Sequence, residues 1–233
     1  MLLLRSLLFN AAFFGLTALA CLVFLPLLAA PRRWTLAVVR LWARAVVALL
    51  RAICGVRLRV EGREHLPAQG PALIAAKHQS AFDTIVWFTL LPDAVYVLKA
   101  ELFRIPVWGW HARHAGMIGV DRQGGAKALR GMLHEARAAA AEGRQIVIFP
   151  EGTRVAPGAR APYQPGVVAL AQATGLPVIP VATNSGRVWG RRSFLKRPGE
   201  ILLRVLPPIP PGLPRGELLP ALEARIEAAQ ASL

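Results

Sequence analysis

Acidic residues and cysteines are scarce in this 233-residue sequence. It contains 13 Asp and Glu against 28 Lys and Arg, a formal net charge of +15, and only two cysteines, Cys21 and Cys54. Both cysteines lie in the apolar N-terminal region, and there is no C-x-x-C motif or Cys/His cluster. We therefore expect neither a zinc site nor a structural disulfide. Hydrophobic residues make up 55% of the chain, which disfavours disorder and allows one sizeable core plus an appendage.

The excess of positive charge indicates an acidic partner, which could be nucleic acid, an anionic lipid surface or a phosphorylated substrate. A mean hydropathy of +0.43 favours the lipid surface. A non-enzymatic basic protein that binds membranes or nucleic acid is an alternative. Because lysines are few and no nucleic-acid reader motif is recognisable, we expect no nucleic-acid partner.

No charged residue occurs between Leu7 and Ala30. A helix of that length would be about 36 Å long, enough to cross a hydrocarbon core of about 30 Å. We predict a membrane segment, and a secretory signal peptide is the alternative. One arginine, Arg5, precedes the segment, and several follow it, so the charge bias places the rest of the chain on the cytoplasmic face of a bacterial-type inner membrane.

Residues 34–53 form a second helical stretch with a basic stripe. At 100° per residue its arginines fall within about 40° of one another; they are Arg33, Arg40, Arg44 and Arg51. An interfacial helix on anionic head groups fits this pattern, and a solvated face of a core helix is the alternative. With the break at Pro31, residues 1–55 become a membrane-anchoring two-helix hairpin. Either its first arm spans the bilayer or both arms enter one leaflet.

From residue 56 onward, short apolar runs alternate with helical segments, which predicts an α/β fold with a mixed sheet flanked by helices. The runs are residues 56–60, 72–76, 95–98, 117–120, 146–149, 178–181 and 201–203. The clearest helical stretches are residues 82–91, 126–142 and 216–233. We therefore expect residues 56–233 to form one catalytic domain.

His78 follows the apolar run 72–76, and Asp83 begins the next helical stretch. Residues five apart on one helix point about 140° apart, so these two side chains can meet only across a strand-to-helix turn. The carboxylate would then fix the imidazole tautomer and leave a general base. Because the pair has no nucleophile, the hydroxyl would come from the substrate. The alternative is a polar loop histidine and an aspartate that stabilises a helix end.

A second turn, Phe149-Pro150-Glu151-Gly152-Thr153-Arg154, also follows a buried strand. The Arg154 guanidinium matches a phosphate, and Gly152 allows backbone amides to approach it. Asp121 and Arg122 follow a third strand in a matching position. Because ligand sites of α/β sheets lie at the carboxyl ends of strands, the turns could border one crevice. The alternatives are a glycine turn with Arg154 paired to Glu151, and a surface pair at 121–122.

Taken together, these stretches resemble the 1-acylglycerol-3-phosphate acyltransferases of the glycerolipid acyltransferase family. The first family block, H-x4-D, corresponds to 78–83, and the third, F-P-E-G-T-R, matches 149–154 without a mismatch. The second block resembles 116–122 and the fourth resembles 176–181, so the resemblance covers roughly residues 63–184. The sequence departs from the family at Gly119, where many members carry an aromatic residue or Pro, and at Tyr163-Gln164-Pro165-Gly166, where a Lys often precedes the Gly.

The resemblance implies acyl transfer from acyl-CoA or acyl-carrier protein to the sn-2 hydroxyl of lysophosphatidic acid, giving phosphatidic acid in phospholipid biosynthesis. It implies no metal and no cofactor beyond the acyl donor. His78 would be the base and Asp83 its orienting partner. Phosphate and acyl contacts would come from the remaining matched positions: Lys99, Arg122, Glu151, Gly152, Thr153 and Arg154 for the glycerol phosphate, and Pro177, Val178, Ile179 and Pro180 for the acyl chain. Glu151 is expected to order Arg154 or the glycerol hydroxyl. Lyso-ornithine lipid or lysophosphatidylglycerol is an alternative acceptor.

A histidine pair and a basic loop each have more than one interpretation. His111 and His114 have the spacing of a metal pair, but no carboxylate accompanies them, so we expect no metal. A basic loop follows the fourth block and suits docking to lipid head groups or to an acidic carrier protein, with a solvated loop as the alternative. Its cations are Arg187, Arg191, Arg192, Lys196 and Arg197, with Trp189 and Phe194 among them.

Overall fold

The computed structural model describes residues 1–121 and 123–233, so the predicted ligand Arg122 lies outside the described residues. Within these residues seven strands form one sheet in the order β1-β7-β6-β2-β5-β3-β4. Strands β6 and β7 are antiparallel and the other neighbours are parallel, which confirms the predicted α/β fold with a mixed sheet. The strands are β1 Val56–Glu61, β2 Ala72–Ala76, β3 Ala94–Lys99, β4 Ile118–Val120, β5 Gln145–Ile148, β6 Val178–Thr183 and β7 Gly199–Val205.

The burial of each strand explains its sequence pattern. All five residues of the central strand β2 are buried, because helices cover both faces of a parallel sheet, and its sequence is therefore continuously apolar. The edge strand β1 instead alternates, with Val56 buried and Arg57 exposed. Since β2, β3 and β5 run parallel, their carboxyl ends meet at the same edge of the sheet.

Helices cover the two faces of the sheet and divide the core into two clusters. One cluster packs α1 Leu2–Val23, α2 Arg32–Cys54, α3 Asp83–Leu90 and α4 Trp108–His114 against one face. The other packs α5 Gly125–Ala141, α6 Gly166–Thr174 and α8 Arg215–Ala231 against the opposite face. A short helix, α7 Ser185–Val188, follows β6 at the carboxyl edge of the sheet.

The first helix differs from the predicted segment 7–30. It begins at Leu2 and ends at Val23, and a short 3₁₀ helix, Leu25–Ala29, connects it to α2. Pro26 explains the early end, because a proline nitrogen has no N–H to donate to the preceding turn. The 22 residues of α1 would extend about 33 Å, and this is the one described helix that is long and apolar enough to cross a membrane.

The N-terminal hairpin shares its core with the sheet. Ala43, Val46 and Leu50 of α2 are almost completely buried and belong to the same cluster as the sheet residues. The basic stripe of α2 lies on a different side of the helix, where Arg33, Arg44 and Arg51 are exposed. Most of α1 is different, since only Ser6 and Phe9 are buried and large apolar side chains face outward.

Candidate active site

His78 and Asp83 lie together at the carboxyl end of β2. The strand ends at Ala76, and the turn after it brings His78 Nδ1 to 3.1 Å from Asp83 Oδ2 on the first turn of α3. Both residues are buried. An ionised carboxylate accepts a hydrogen bond from the N–H group at Nδ1, so that in the neutral imidazole Nε2 is unprotonated and can act as a base. The structure therefore brings the two predicted residues into the relation that their spacing requires.

Asp83 is held by three further donors. The backbone N–H groups of Gln79 and Ser80 each donate to Asp83 Oδ2 at 2.7 Å, and the hydroxyl of Ser185 donates to Oδ1 at 2.6 Å. Together these hydrogen bonds fix the orientation of the carboxylate. Asp83 can therefore hold the imidazole of His78 in one tautomer and one position.

The turn after β5 lies directly beside the turn after β2. Ala75 of β2 pairs with Ile148 of β5, and the backbone N–H of Val155 donates to the carbonyl oxygen of His78 at 2.7 Å. Gly152 adopts φ +68°, a left-handed conformation that suits glycine. The pKa of the half-buried Arg154 guanidinium is lowered by burial, with Asp83 raising it and Arg191 lowering it further.

Glu151 forms no ion pair with Arg154 among the described residues, so the expectation that it orders this arginine is not met, and a contact with the glycerol hydroxyl stays a prediction. Its Oε1 lies 3.5 Å from the Nζ of Lys77 and 3.5 Å from the backbone nitrogen of His78. Lys77 also forms an ion pair with Glu227 of α8, whose Oε1 accepts a hydrogen bond from the hydroxyl of Tyr163 at 3.1 Å. The side chains of Lys77 and Glu151 are at most 1% exposed. Because a buried charge needs a partner, Lys77 lies between the carboxyl groups of Glu151 and Glu227, and among the described residues no ion pair joins Glu151 to Arg154.

A cavity of about 870 Å³ opens beside the dyad. His78, Lys99, Gly152, Thr153 and Arg154 line its polar part. Its apolar wall comes partly from the N-terminal hairpin and partly from α3 and α4; it includes Phe13, Phe24, Trp42, Phe88 and Trp108. The arrangement joins a base, two cations and an apolar space, which suits a substrate with a polar head and an aliphatic chain.

The other predicted ligands lie in different places. Pro177 is next to Leu73 at the start of β2, where the backbone N–H of Leu73 donates to its carbonyl oxygen at 3.3 Å. Val178, Ile179 and Pro180 pair with β2 along β6 and do not line the cavity, so the structure does not bring this segment to the dyad. Ile179 is buried within the sheet core, a packing role that accounts for its apolar character.

His111 and His114 make separate contacts. His111 Nε2 lies 2.9 Å from the carbonyl oxygen of Cys21, and His114 Nδ1 lies 2.9 Å from the hydroxyl of Thr35. Both contacts join α4 to the N-terminal hairpin. In residues 1–121 and 123–233 there is no group of three or more His, Cys, Asp or Glu residues that could hold a metal ion.

The sequence interpretation assigned no contact with the dyad to Ser185 or to Phe149. Ser185 lies 102 positions after Asp83, and only the packing of α7 against the catalytic turn brings its hydroxyl to the carboxylate. Phe149 stacks against the His78 ring with centroids 4.0 Å apart. The position of Phe149 at the end of a buried strand was a usable signal, whereas nothing near Ser185 in the sequence indicates its contact.

Comparison with known proteins assigns the chain to one enzyme family. The model of the acyltransferase family matches residues 57–184, which is more than half of the chain, so the chain belongs to this family. The matched residues contain the dyad and the Arg154 turn.

Within the family the chain is similar to curated 1-acyl-sn-glycerol-3-phosphate acyltransferases. It is 35% identical over 170 residues to that of Pseudomonas aeruginosa, an alignment covering 73% of this chain and 66% of the relative. Identity to the human alpha enzyme is 28% over 185 residues, covering 78% of this chain and 65% of the relative. The chain thus spans slightly less than two thirds of the length of these relatives.

A solved structure has the same fold. The 1-acyl-sn-glycerophosphate acyltransferase of Thermotoga maritima superposes with a TM-score of 0.81, covering 100% of this chain and 97% of that one, at 22% sequence identity. The N-terminal hairpin is therefore part of the shared fold.

Proposed function

We propose that the protein transfers a fatty acyl group from an acyl thioester to the sn-2 hydroxyl of lysophosphatidic acid, giving phosphatidic acid. The observation that carries the proposal is the contact between His78 and Asp83 at the edge of a cavity that also contains Arg154. The names of the curated relatives support the same substrate. The acyl donor is either acyl-CoA or acyl-carrier protein, and no other cofactor takes part.

In this reaction His78 Nε2 takes the proton of the sn-2 hydroxyl as the oxygen attacks the thioester carbonyl. The tetrahedral intermediate then collapses, and the thiolate leaves with the proton that His78 carries. Asp83 stabilises the imidazolium that forms between these steps. Acyl transfer is direct, because the hydroxyl of the acceptor is the nucleophile.

Arg154, together with the Gly152–Thr153 backbone, binds the phosphate of the acceptor. Only a short glycerol unit separates that phosphate from the sn-2 oxygen, so both must lie close to His78. Lys99 also lines the cavity and adds a second cation, and the resemblance to the family adds Arg122 to the phosphate ligands. The apolar wall from α1, α2 and α3 receives aliphatic chain.

The protein acts at a membrane surface. The apolar outer face of α1 enters the lipid, the basic stripe of α2 contacts anionic head groups, and the catalytic residues work on the cytoplasmic face of an inner membrane. Because hairpin residues such as Phe13, Phe24 and Trp42 line the cavity, a lysolipid can move from the leaflet toward His78 without crossing bulk water.

The decisive experiment replaces His78 by Ala and assays acyl transfer to lysophosphatidic acid in vesicles. We expect a loss of at least about a thousandfold in kcat, with unchanged vesicle binding. His134→Ala is the matched control, because this exposed histidine on α5 does not line the cavity. Near-normal transfer by the His78→Ala variant would refute the base assignment.

A panel of acceptors tests the substrate. Purified protein is offered lysophosphatidic acid, lysophosphatidylglycerol and lyso-ornithine lipid with one acyl donor. We expect the highest kcat/KM with lysophosphatidic acid, because its phosphate monoester carries the most negative charge toward Arg154 and Lys99. A preference of tenfold or more for either other lysolipid would reassign the acceptor and leave the reaction type intact.

A further inference from the structure

Arg191 and Arg192 line the same cavity as His78 and Arg154. Both are exposed, whereas Arg154 is half-buried. A guanidinium N–H of Arg191 donates to the backbone carbonyl oxygen of Arg154 at 3.3 Å, so the two arginines are neighbours. Among the described residues none of the three forms an ion pair with a carboxylate. The rim of the cavity is therefore an uncompensated cationic site.

The segment that carries these arginines, residues 185–196, is fixed at both ends. At one end the Ser185 hydroxyl donates to Asp83, and the backbone N–H of Gly186 donates to Gln79 Oε1 at 3.1 Å. A Cβ at Gly186 would meet the Cβ of Gln79 at 2.9 Å, so the close approach to the catalytic turn requires glycine.

The other end is tied to the first helix. Lys196 is buried, and its Nζ donates to Asn10 Oδ1 at 2.9 Å and to the carbonyl oxygens of Ser193 and Phe194. Between the two anchors Arg192 adopts φ +55°, a conformation that non-glycine residues rarely take. Such backbone conformations persist where the surrounding structure holds them, and they cluster at ligand sites.

We propose that Arg191 and Arg192 form a second phosphate subsite, for a phosphate group of the acyl donor. This inference rests on the proposed function. The acceptor carries its phosphate close to the reacting oxygen, where the half-buried Arg154 is placed. A donor carries its nearest phosphate at the far end of the pantetheine arm, which fits cations farther out, on the solvent-exposed rim.

Either donor type can supply this phosphate. Coenzyme A and acyl-carrier protein share the phosphopantetheine phosphate, and only coenzyme A adds nucleotide phosphates. Guanidinium groups bind either by charge-assisted hydrogen bonds, each of which changes affinity by tenfold or more.

The test compares wild type with the double variant Arg191→Gln/Arg192→Gln on three donors with one acyl chain: acyl-CoA, acyl-carrier protein and acyl-pantetheine, which has no phosphate. We expect the KM for phosphorylated donors to rise by about tenfold or more. The KM for lysophosphatidic acid and the rate with acyl-pantetheine should stay within about twofold. Arg57→Gln/Arg130→Gln removes two exposed charges outside the cavity and is the matched control.

The donors also separate the sources of the phosphate. An equal effect on acyl-CoA and acyl-carrier protein assigns the pantetheine phosphate, and an effect on acyl-CoA alone assigns the nucleotide; both support a donor subsite. A raised KM for lysophosphatidic acid, or an equal effect on acyl-pantetheine, overturns it. If wild type is active and the double variant is unchanged, only the subsite is wrong. If wild type transfers no acyl group from any donor, the proposed function itself fails.

Discussion

The imidazole ring of His78 lies flat against the phenyl ring of Phe149, with centroids 4.0 Å apart and 15° between the planes. Tyr96 continues the stack, with its ring centroid 6.2 Å from that of Phe149. The hydrogen bond to Asp83 therefore holds the imidazole at Nδ1, and stacking on Phe149 holds the plane of the ring. The first residue of the 149–154 turn thus supports the base, while its last residue, Arg154, faces the cavity.

Replacing Phe149 by Leu should lower kcat by about tenfold with little change in KM, because the base loses the ring that holds its plane. Phe149→Tyr keeps the aromatic ring and is the control. Steady-state kinetics with lysophosphatidic acid, together with circular dichroism for folding, measure the effect. An equal loss with Tyr would mean that the ring face does not matter.

Ser185→Ala should lower kcat by about tenfold, because Asp83 Oδ1 loses its hydroxyl donor and the carboxylate can rotate. Asp83→Asn should cost more, about a thousandfold, since an amide favours the wrong imidazole tautomer. Thr174→Val removes a hydroxyl from α6, away from the dyad, and serves as the control. A Ser185→Ala variant with wild-type kcat would show that backbone donors alone position Asp83.

The dyad could be predicted because its geometry is local. Residues 78 and 83 are joined by a single turn, and the apolar run before them indicates where the strand ends. Ser185 could not be predicted in this way. Its contact depends on how α7 packs after β6, and β6 is placed by its pairing with β2. Contacts set by sheet order have no signature in sequence spacing.

The sequence also predicted the partner of Glu151 and the end of the first helix incorrectly. The sequence places Glu151 three residues before Arg154, yet burial beside Lys77 decides where its carboxylate points. The strands were predicted well because buried parallel strands have continuous apolar sequences. The end of α1 was misjudged because an uncharged stretch shows where a helix can continue, whereas Pro26 shows where it stops.

Gly119 departs from the family pattern, and the ring of Phe103 occupies the space beside it. A Cβ at Gly119 would lie 2.6 Å from Cε2 of Phe103, so the phenyl ring of Phe103 already fills the space beside this strand. Phe103 comes from the 3₁₀ segment Ala100–Arg104, which no sequence pattern connected with β4. The aromatic group that many family members carry at this position has no room here.

Glu151→Gln should change how stability depends on pH. Burial raises the pKa of Glu151 to about 7, while Lys77 and the backbone N–H of His78 lower it. The folded protein therefore holds a proton that the unfolded chain has released between about pH 4.5 and 7. The stability from this group is complete below about pH 4.5 and is lost as pH rises to 7.

The unfolding free energy of Glu151→Gln minus that of wild type should thus rise by about 3 kcal/mol between pH 4.5 and 7.5. Urea unfolding at a series of pH values measures it. For Lys77→Met the same difference should fall as pH rises, because loss of the cation raises the pKa of Glu151 further. This variant should also lose about 3 kcal/mol of stability. A pH-independent difference for Glu151→Gln would mean that the carboxylate is charged throughout.

Aspartates on the outer face of α1 should release the protein from membranes. Leu7 and Phe14 are 52% and 66% exposed, so Leu7→Asp/Phe14→Asp leaves the core intact while placing two charges where we expect hydrocarbon. We expect loss of co-sedimentation with anionic vesicles and retained transfer between short-chain, water-soluble substrates. Ala138→Asp, on the exposed face of α5, is the control. If the double variant still binds vesicles as well as wild type does, the basic stripe of α2 rather than α1 makes the membrane contact. An Arg40→Gln/Arg44→Gln variant should then bind vesicles more weakly at low salt.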